Sequence, residues 1–308
     1  MYSNVARDDE YKNRLADFIR REYGISIASI IAAKRGFYGE TWEVSDKNDH
    51  YFLKLVYADE CKQNYERSFA IVQHLCEHGI NFISRIVRTR HAKLSTHFEG
   101  AVAGLFEWIE GENMESDETK AHEYQMLAKI YAVPIDSLDI LHEDFSSKDL
   151  SEFRTLCATI NNHQLVSLLE TKREKIEYRA KRLDMFSKLC QNDKSGFVIT
   201  HGDAGGNFIA GDGKYFIVDW DGVTFAPPER DAWVMCSQDW ARNAFQSALK
   251  ENSINYDLCH KRLAYYCYRF FFFYLNSLVN ANSDAKAIES YIDGWISDSI
   301  RWADEVNT

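Results

Sequence analysis

The stretch Val198-Ile-Thr-His-Gly-Asp-Ala-Gly-Gly-Asn-Phe-Ile-Ala210, followed closely by Tyr215-Phe-Ile-Val-Asp-Trp-Asp221, decides how the rest of this 308-residue chain is read. An apolar strand, Phe197 to Ile199, ends in a polar loop that carries Asp203 and Asn207. A second strand, Asn207 to Ala210, turns at Gly211-Asp-Gly213 and returns from Tyr215 to Val218, ending at Asp219. Asp-Gly is the dipeptide a two-residue hairpin turn favours, because both central residues take positive φ. A hairpin brings its ends together, so Asn207 is expected near Asp219, with Asp203 on the loop just before. One carboxylate is then placed to orient a hydroxyl. An amide and a second carboxylate can hold a hard cation such as Mg²⁺, which takes a few oxygen ligands from protein and the rest from phosphates and water. Asp and Asn are favoured in turns in any case, so a lone Asp-x-x-x-Asn would carry little. The full set between two apolar strands is far more specific.

Phosphoryl transfer needs these parts: an orienting carboxylate, metal ligands and a cation on the phosphates. His201-Gly202-Asp203-(x3)-Asn207 followed by Ile217-Val218-Asp219-Trp220-Asp221 resembles the signature of the aminoglycoside phosphotransferase family, which is similar in fold to protein kinases and includes choline and methylthioribose kinases. The following Asp221-Gly-Val-Thr-Phe-Ala-Pro-Pro-Glu-Arg-Asp231 resembles most the spectinomycin phosphotransferase branch. The resemblance implies an α+β, two-lobed protein-kinase-like fold, with a β-sheet N-lobe over residues 1–109 and a mainly helical C-lobe over 110–308. It implies ATP and Mg²⁺, with Asp203 as the catalytic carboxylate and Asn207 and Asp219 as metal ligands. Asp231 would brace the catalytic loop, and His201 is expected to support that loop rather than act in the chemistry. Asp221 would help a second metal or meet a cationic acceptor.

In the first lobe, Asp9 to Tyr23 has the helical spacing of Leu15, Phe18 and Ile19, with Gly24 as a stop. Ile25 to Ala33 reads as a strand, and Lys34 to Thr41 as a glycine-containing turn that could lie over phosphates. In Tyr51-Phe-Leu-Lys-Leu-Val56 a lysine interrupts an apolar run. Burying an unpaired ammonium is costly, so Lys54 needs solvent or a partner. An edge-strand lysine is the plain alternative. The functional reading makes Lys54 the grip on the α- and β-phosphates, paired with Glu66 on a helix from Asn64 to His78, with Glu60 as a competing acid before that helix. His74 and His78 stand at i and i+4, but with no third ligand apparent they read as a solvated face. Phe82 to Arg90, Lys93 to His97 and Ala101 to Ile109 read as strands, the last running into the polar link Glu110-Gly-Glu-Asn113. By resemblance, Phe106 would sit behind adenine, and the Glu107 carbonyl and Ile109 amide would bond to it.

In the second lobe a helix from Ser116 to about Ala132 is stopped by Pro134. Its ending is similar to the family's Leu-x-x-Leu-His-x-x-Pro, with Tyr131 in place of the His, which reads as a packing variation. His163 to Gln191 reads as one long charged helix. Pro227-Pro228-Glu229 is a helix start. The run Tyr265-Tyr-Cys-Tyr-Arg-Phe-Phe-Phe-Phe-Tyr274 reads as a core helix, or as a face lining the acceptor site.

The formal net charge of −11 opposes binding to nucleic acid or anionic membrane and favours a cationic small molecule. Seven scattered cysteines without a Cys-x-x-Cys fit reduced thiols and a cytoplasmic location. The polar N-terminus does not read as a signal peptide. The apolar run Leu263 to Val279 includes Arg269 and Asn276 and suits a buried helix better than a membrane span. The expected protein is thus a monomeric or homodimeric small-molecule kinase with a cationic hydroxyl acceptor, an aminoglycoside or aminocyclitol such as spectinomycin, which would give antibiotic resistance. A metabolite kinase for choline, methylthioribose or homoserine is the alternative, followed by a catalytically silent nucleotide-binding module.

Overall fold

A computed structural model of the chain describes residues 8–33, 39–135, 138–281 and 283–307. It divides into two compact units. The first comprises 1–119, 133–141 and 201–224, and the second comprises 120–132, 142–200 and 225–308. The division is therefore discontinuous in sequence, where a single boundary after Ile109 was expected. The reason is local to the first unit: β6 (Glu112–Asn113) pairs with β8 (Phe208–Gly211), which pairs with β9 (Lys214–Ile217).

The first unit holds a five-stranded antiparallel sheet in the order β1-β2-β3-β5-β4, formed by β1 (Ser29–Ala32), β2 (Glu40–Ser45), β3 (His50–Val56), β4 (Thr96–Phe98) and β5 (Ala101–Glu107). Alternation along the strands sorts the side chains. Trp42, Val44, Leu53, Leu55, Ala101, Ala103 and Leu105 form one core with Tyr11, Leu15, Phe18 and Ile19 of α1 (Asp9–Tyr23). That helix stops, as expected, at Gly24, which takes φ 76°, and it begins on the Asp8 side chain, which accepts from the Tyr11 amide. Lys54 falls out of step with this core, in the row Thr41–Lys54–Gly104.

The turn expected over Lys34 to Thr41 lies for the most part outside the described residues. Residues 82–87 form only isolated bridges, not a full strand: Ile83 pairs with Ile217 and Ile86 with Phe106.

The second unit is mainly helical. It contains most of α3 (Asp117–Tyr131), then α4 (Lys148–Cys157), α5 (His163–Thr171), α6 (Arg173–Cys190), α7 (Glu229–Ala232), α8 (Asp239–Glu251), α9 (His260–Asn280), α10 (Ala285–Ser290) and α11 (Ser297–Glu305). The single helix expected over 163–191 is broken at Lys172, whose ammonium pairs with Glu289 and Asp293. The aromatic run is core: Tyr265, Tyr266, Tyr268, Phe271 and Phe272 of α9 are fully buried. Among the described residues no helix is long and apolar enough to cross a membrane.

Candidate active site

The turn between β8 and β9 has the expected backbone, with Asp212 at φ 49° and Gly213 at φ 71°. Closure follows: the Val218 amide donates to the Asn207 carbonyl at 3.0 Å, so the two strand ends that carry Asn207 and Asp219 lie side by side. His201 locks the preceding loop to the same strand end. Its Nε2 bonds the Val218 carbonyl at 2.8 Å and its Nδ1 accepts the Asp203 amide at 3.2 Å. A carbonyl can only accept, so the proton sits on Nε2. The ring is fully buried, edge-on to Trp220 at 4.6 Å. Both nitrogens are thus committed to backbone.

Asp203 is exposed, at the start of a short 3-10 turn, Ala204–Gly206. The Asn207 amide donates to the Asp203 carbonyl at 2.7 Å and reaches its Oδ2 at 3.3 Å. Both bonds use Nδ2, which leaves Oδ1 as the end of the amide that could hold a cation. Asn113 of β6 donates to the Gly206 carbonyl and steadies the loop from the other side. Sequence reasoning had no signal for this contact.

Asp219 takes the left-handed conformation, φ 62° and ψ 65°. Few residues other than glycine do so, and such strain concentrates where a side chain must be aimed. Its Oδ1 accepts from the Lys54 ammonium at 2.7 Å, and Asp221 Oδ2 accepts from the same ammonium. Lys54 is 9% exposed in its side chain, against 47% for Asp219 and 32% for Asp221. Desolvation alone would lower the Lys54 pKa, but the Asp221 and Asp219 charges more than offset it and raise it. Desolvation raises the Asp219 carboxyl, and the charge and hydrogen bond of Lys54 outweigh this and lower it. For Asp221, desolvation together with the neighbouring Asp219 prevails over Lys54, and the pKa is raised. Two carboxylates on one cation divide in this way because a like charge disfavours the second ionisation.

The expected Lys54–Glu66 pair is not formed. Helix α2 runs from Asp59 to Glu77, so Glu60 lies inside it rather than before it, and its inward face carries Tyr65, Phe69 and Val72. Tyr65 occupies the position beside the lysine, with its ring 5.4 Å from Nζ and its hydroxyl 3.4 Å from the Lys54 carbonyl. Glu66, one residue on, is turned away and exposed, and accepts from Ser95 at 3.4 Å. Gly104 allows this close approach of helix to sheet, since a Cβ there would lie 2.2 Å from Phe69 Cζ. His74 Nε2 donates to the Pro134 carbonyl at 2.7 Å, and among the described residues no group of three or more His, Cys, Asp or Glu is placed to hold a metal.

Phe106 packs edge-on against Phe69 at 5.4 Å. The Glu107 carbonyl accepts the Ser84 hydroxyl at 2.7 Å, and the Glu107 amide donates to the Arg85 carbonyl. A base bonded at this carbonyl would share or displace the serine. A cavity of about 620 Å³ borders the same link, lined by residues that include Ser84, Arg85, Glu107, Ile109, Asp212 and Tyr215. Asp231, in the second unit, is buried and accepts from the Tyr131 hydroxyl at 2.8 Å. The tyrosine that stands in place of a histidine is therefore a hydrogen-bonding partner and not merely a packing variant.

A model described as the phosphotransferase enzyme family matches residues 29–270. No curated protein sequence matches the chain. Among solved structures, the chain is similar to a spectinomycin phosphotransferase in complex with ADP and spectinomycin, at 19% identity and TM-score 0.69, covering 95% of this chain and 93% of that one. The AMP-bound form of the same enzyme aligns at 18% identity and TM-score 0.73, covering 96% and 99%. The amicoumacin kinase hAmiN, in complex with AMP-PNP, Ca²⁺ and its ligand, aligns at 13% identity and TM-score 0.64, covering 96% of each chain. At these identities the likeness is one of fold, and it is the fold expected from the sequence.

Proposed function

This chain belongs to the phosphotransferase enzyme family, and on that footing we propose that it transfers the γ-phosphoryl group of ATP to a hydroxyl of a small cationic molecule, an aminoglycoside or aminocyclitol such as spectinomycin. The observation that carries the reading is the convergence of Lys54 from β3 with Asp219 and Asp221 from the end of the hairpin that also fixes Asn207. Residues as much as 167 positions apart in the chain meet there around one buried ammonium.

The donor set fits a hard divalent ion. Asn207 Oδ1 and the Asp219 carboxylate are two oxygen donors at adjoining strand ends, the modest protein share that Mg²⁺ takes when phosphates and water supply the rest. When bound there, Mg²⁺ supplies charge neutralisation on the phosphates. Lys54 adds a second positive charge on the α- and β-phosphates. Asp203 orients the acceptor hydroxyl and takes its proton, and His201 holds the Asp203 backbone in place. Catalysis is then positioning and electrostatics, with no covalent intermediate on the protein. The net charge of −11 favours a cationic acceptor by drawing it in at long range.

The test is ATP consumption measured with aminoglycosides, spectinomycin, choline, methylthioribose and homoserine, using the wild type and Asp203→Asn. The proposal expects consumption with a cationic antibiotic, abolished in Asp203→Asn while ATP still binds. Consumption with choline, methylthioribose or homoserine alone would move the acceptor to a metabolite. Loss of ATP binding in Asp203→Asn would reassign Asp203 to a structural role.

A further inference from the structure

Lys54 is nearly removed from water, and an ammonium in that position needs a lasting counter-charge. The helix beside it supplies none. The buried residues of α2 are Tyr65, Ser68, Phe69, Ile71, Val72 and Leu75, while its acids Asp59, Glu60, Glu66 and Glu77 are all exposed. The two carboxylates that do meet Lys54 differ in their other duties. Asp219 is the candidate metal ligand, half exposed at the end of the hairpin. Asp221 is less exposed and lies in the short 3-10 turn Trp220–Gly222, which packs against α2.

We propose that Asp221 is the positioning residue for Lys54, in the role a helix carboxylate would otherwise fill, and that the Asp219 contact is the one given up when Asp219 turns to metal. The inference rests on the reading of Lys54 as the phosphate grip. The reason is charge balance. A carboxylate engaged by a divalent ion has little negative potential left for a neighbouring ammonium, which would then face the cation with no partner. With Asp221 in place, Lys54 stays paired through the cycle, and the Tyr65 ring limits where its chain can go. Asp221 is then spoken for on the protein side and is neither a second metal ligand nor an acceptor contact.

The experiment is a double-mutant cycle of Lys54→Ala, Asp221→Asn and both together, read as ATP affinity by titration in the presence of Mg²⁺, with thermal unfolding recorded for each variant. The expected result is a loss in Asp221→Asn on the order of tenfold, and a double variant no weaker than Lys54→Ala alone, because contacting residues that act as a unit are not additive. Asp221→Glu, which keeps the charge, should stay within a few-fold of wild type, and it carries the test should Asp221→Asn fail to fold. Multiplicative losses, a loss in Glu66→Gln equal to that in Asp221→Asn, or a change in Mg²⁺ requirement or acceptor KM without a change in ATP affinity would each overturn the inference. A wild-type protein that binds no ATP would overturn the kinase reading itself, whereas ATP binding with an additive cycle would overturn only the role of Asp221.

Discussion

Replacing Gly104 by alanine should loosen the helix that borders Lys54. A Cβ at this position lies 2.2 Å from Phe69 Cζ, 2.9 Å from Cε1 and 3.0 Å from Cε2. Carbon atoms rest at about 3.5–4.0 Å, so the ring must retreat by about 1 Å or more. It has little room to do so: Phe69 is buried, and its ring is held by Tyr65 at 4.4 Å and Phe106 at 5.4 Å. Overpacking of this kind costs about 1–3 kcal/mol. Removing a strand glycine returns about 0.5–1 kcal/mol, which at the midpoints of the two ranges leaves a net destabilisation of about 1 kcal/mol. Because Tyr65 moves with Phe69, ATP affinity should fall as well. Urea denaturation of Gly104→Ala, Phe69→Leu and the double variant measures the effect, and the smaller Leu side chain should relieve the clash. A coupling of about 1 kcal/mol or more between the two sites is expected. A Gly104→Ala protein as stable as the wild type, or strictly additive variants, would refute the argument.

Two other predictions concern the second unit. Glu229 is fully buried; burial pushes its carboxyl up to about 7, against the Cys259 amide, Arg262 and the Tyr256 hydroxyl, which pull it down. The folded state therefore holds a proton that the unfolded chain releases, so stability should fall as pH rises from about 4.5 to about 7, by on the order of 3 kcal/mol, and then level off. Glu229→Gln should flatten that slope in urea denaturation across this range, and a variant that keeps the slope would contradict the assignment. Tyr131→Phe removes a hydroxyl from a buried carboxylate oxygen of Asp231 and should cost about 1–2 kcal/mol in the same assay; unchanged stability would show that the bond is readily replaced.

What the sequence made legible was local. The Asp212-Gly213 turn needs two positive φ values, and few dipeptides accept them, so the hairpin and the adjacency of Asn207 and Asp219 could be read directly. The first helix was equally clear because Leu15, Phe18 and Ile19 recur at helical spacing and Gly24 marks its end, while the Asp8 cap at its start emerged only in the structure. Apart from the start of α2, the misreadings concern contacts that are set by residues outside the local stretch. Tyr65 and Glu66 both border the apolar stripe of α2, and only the phase of the helix against β3 decides which one meets Lys54. That phase is set by Gly104, which lets Phe69 down onto the sheet, and a glycine in a strand carries no such message by itself. The break at Lys172 depends on acids more than a hundred residues away, and Ser84 meets Glu107 through a loop with no motif.

The central claim is that Lys54, Asn207 and Asp219 hold a triphosphate together with a divalent ion, and equilibrium ATP binding with and without Mg²⁺ tests it most directly, in the wild type and in Asp219→Ala. The account predicts that Mg²⁺ strengthens ATP binding to the wild type by tenfold or more, an increment of about 1.4 kcal/mol, and that Asp219→Ala loses most of this increment. Equal affinity in Mg²⁺ and in EDTA, or an Asp219→Ala protein with the full Mg²⁺ dependence, would contradict it.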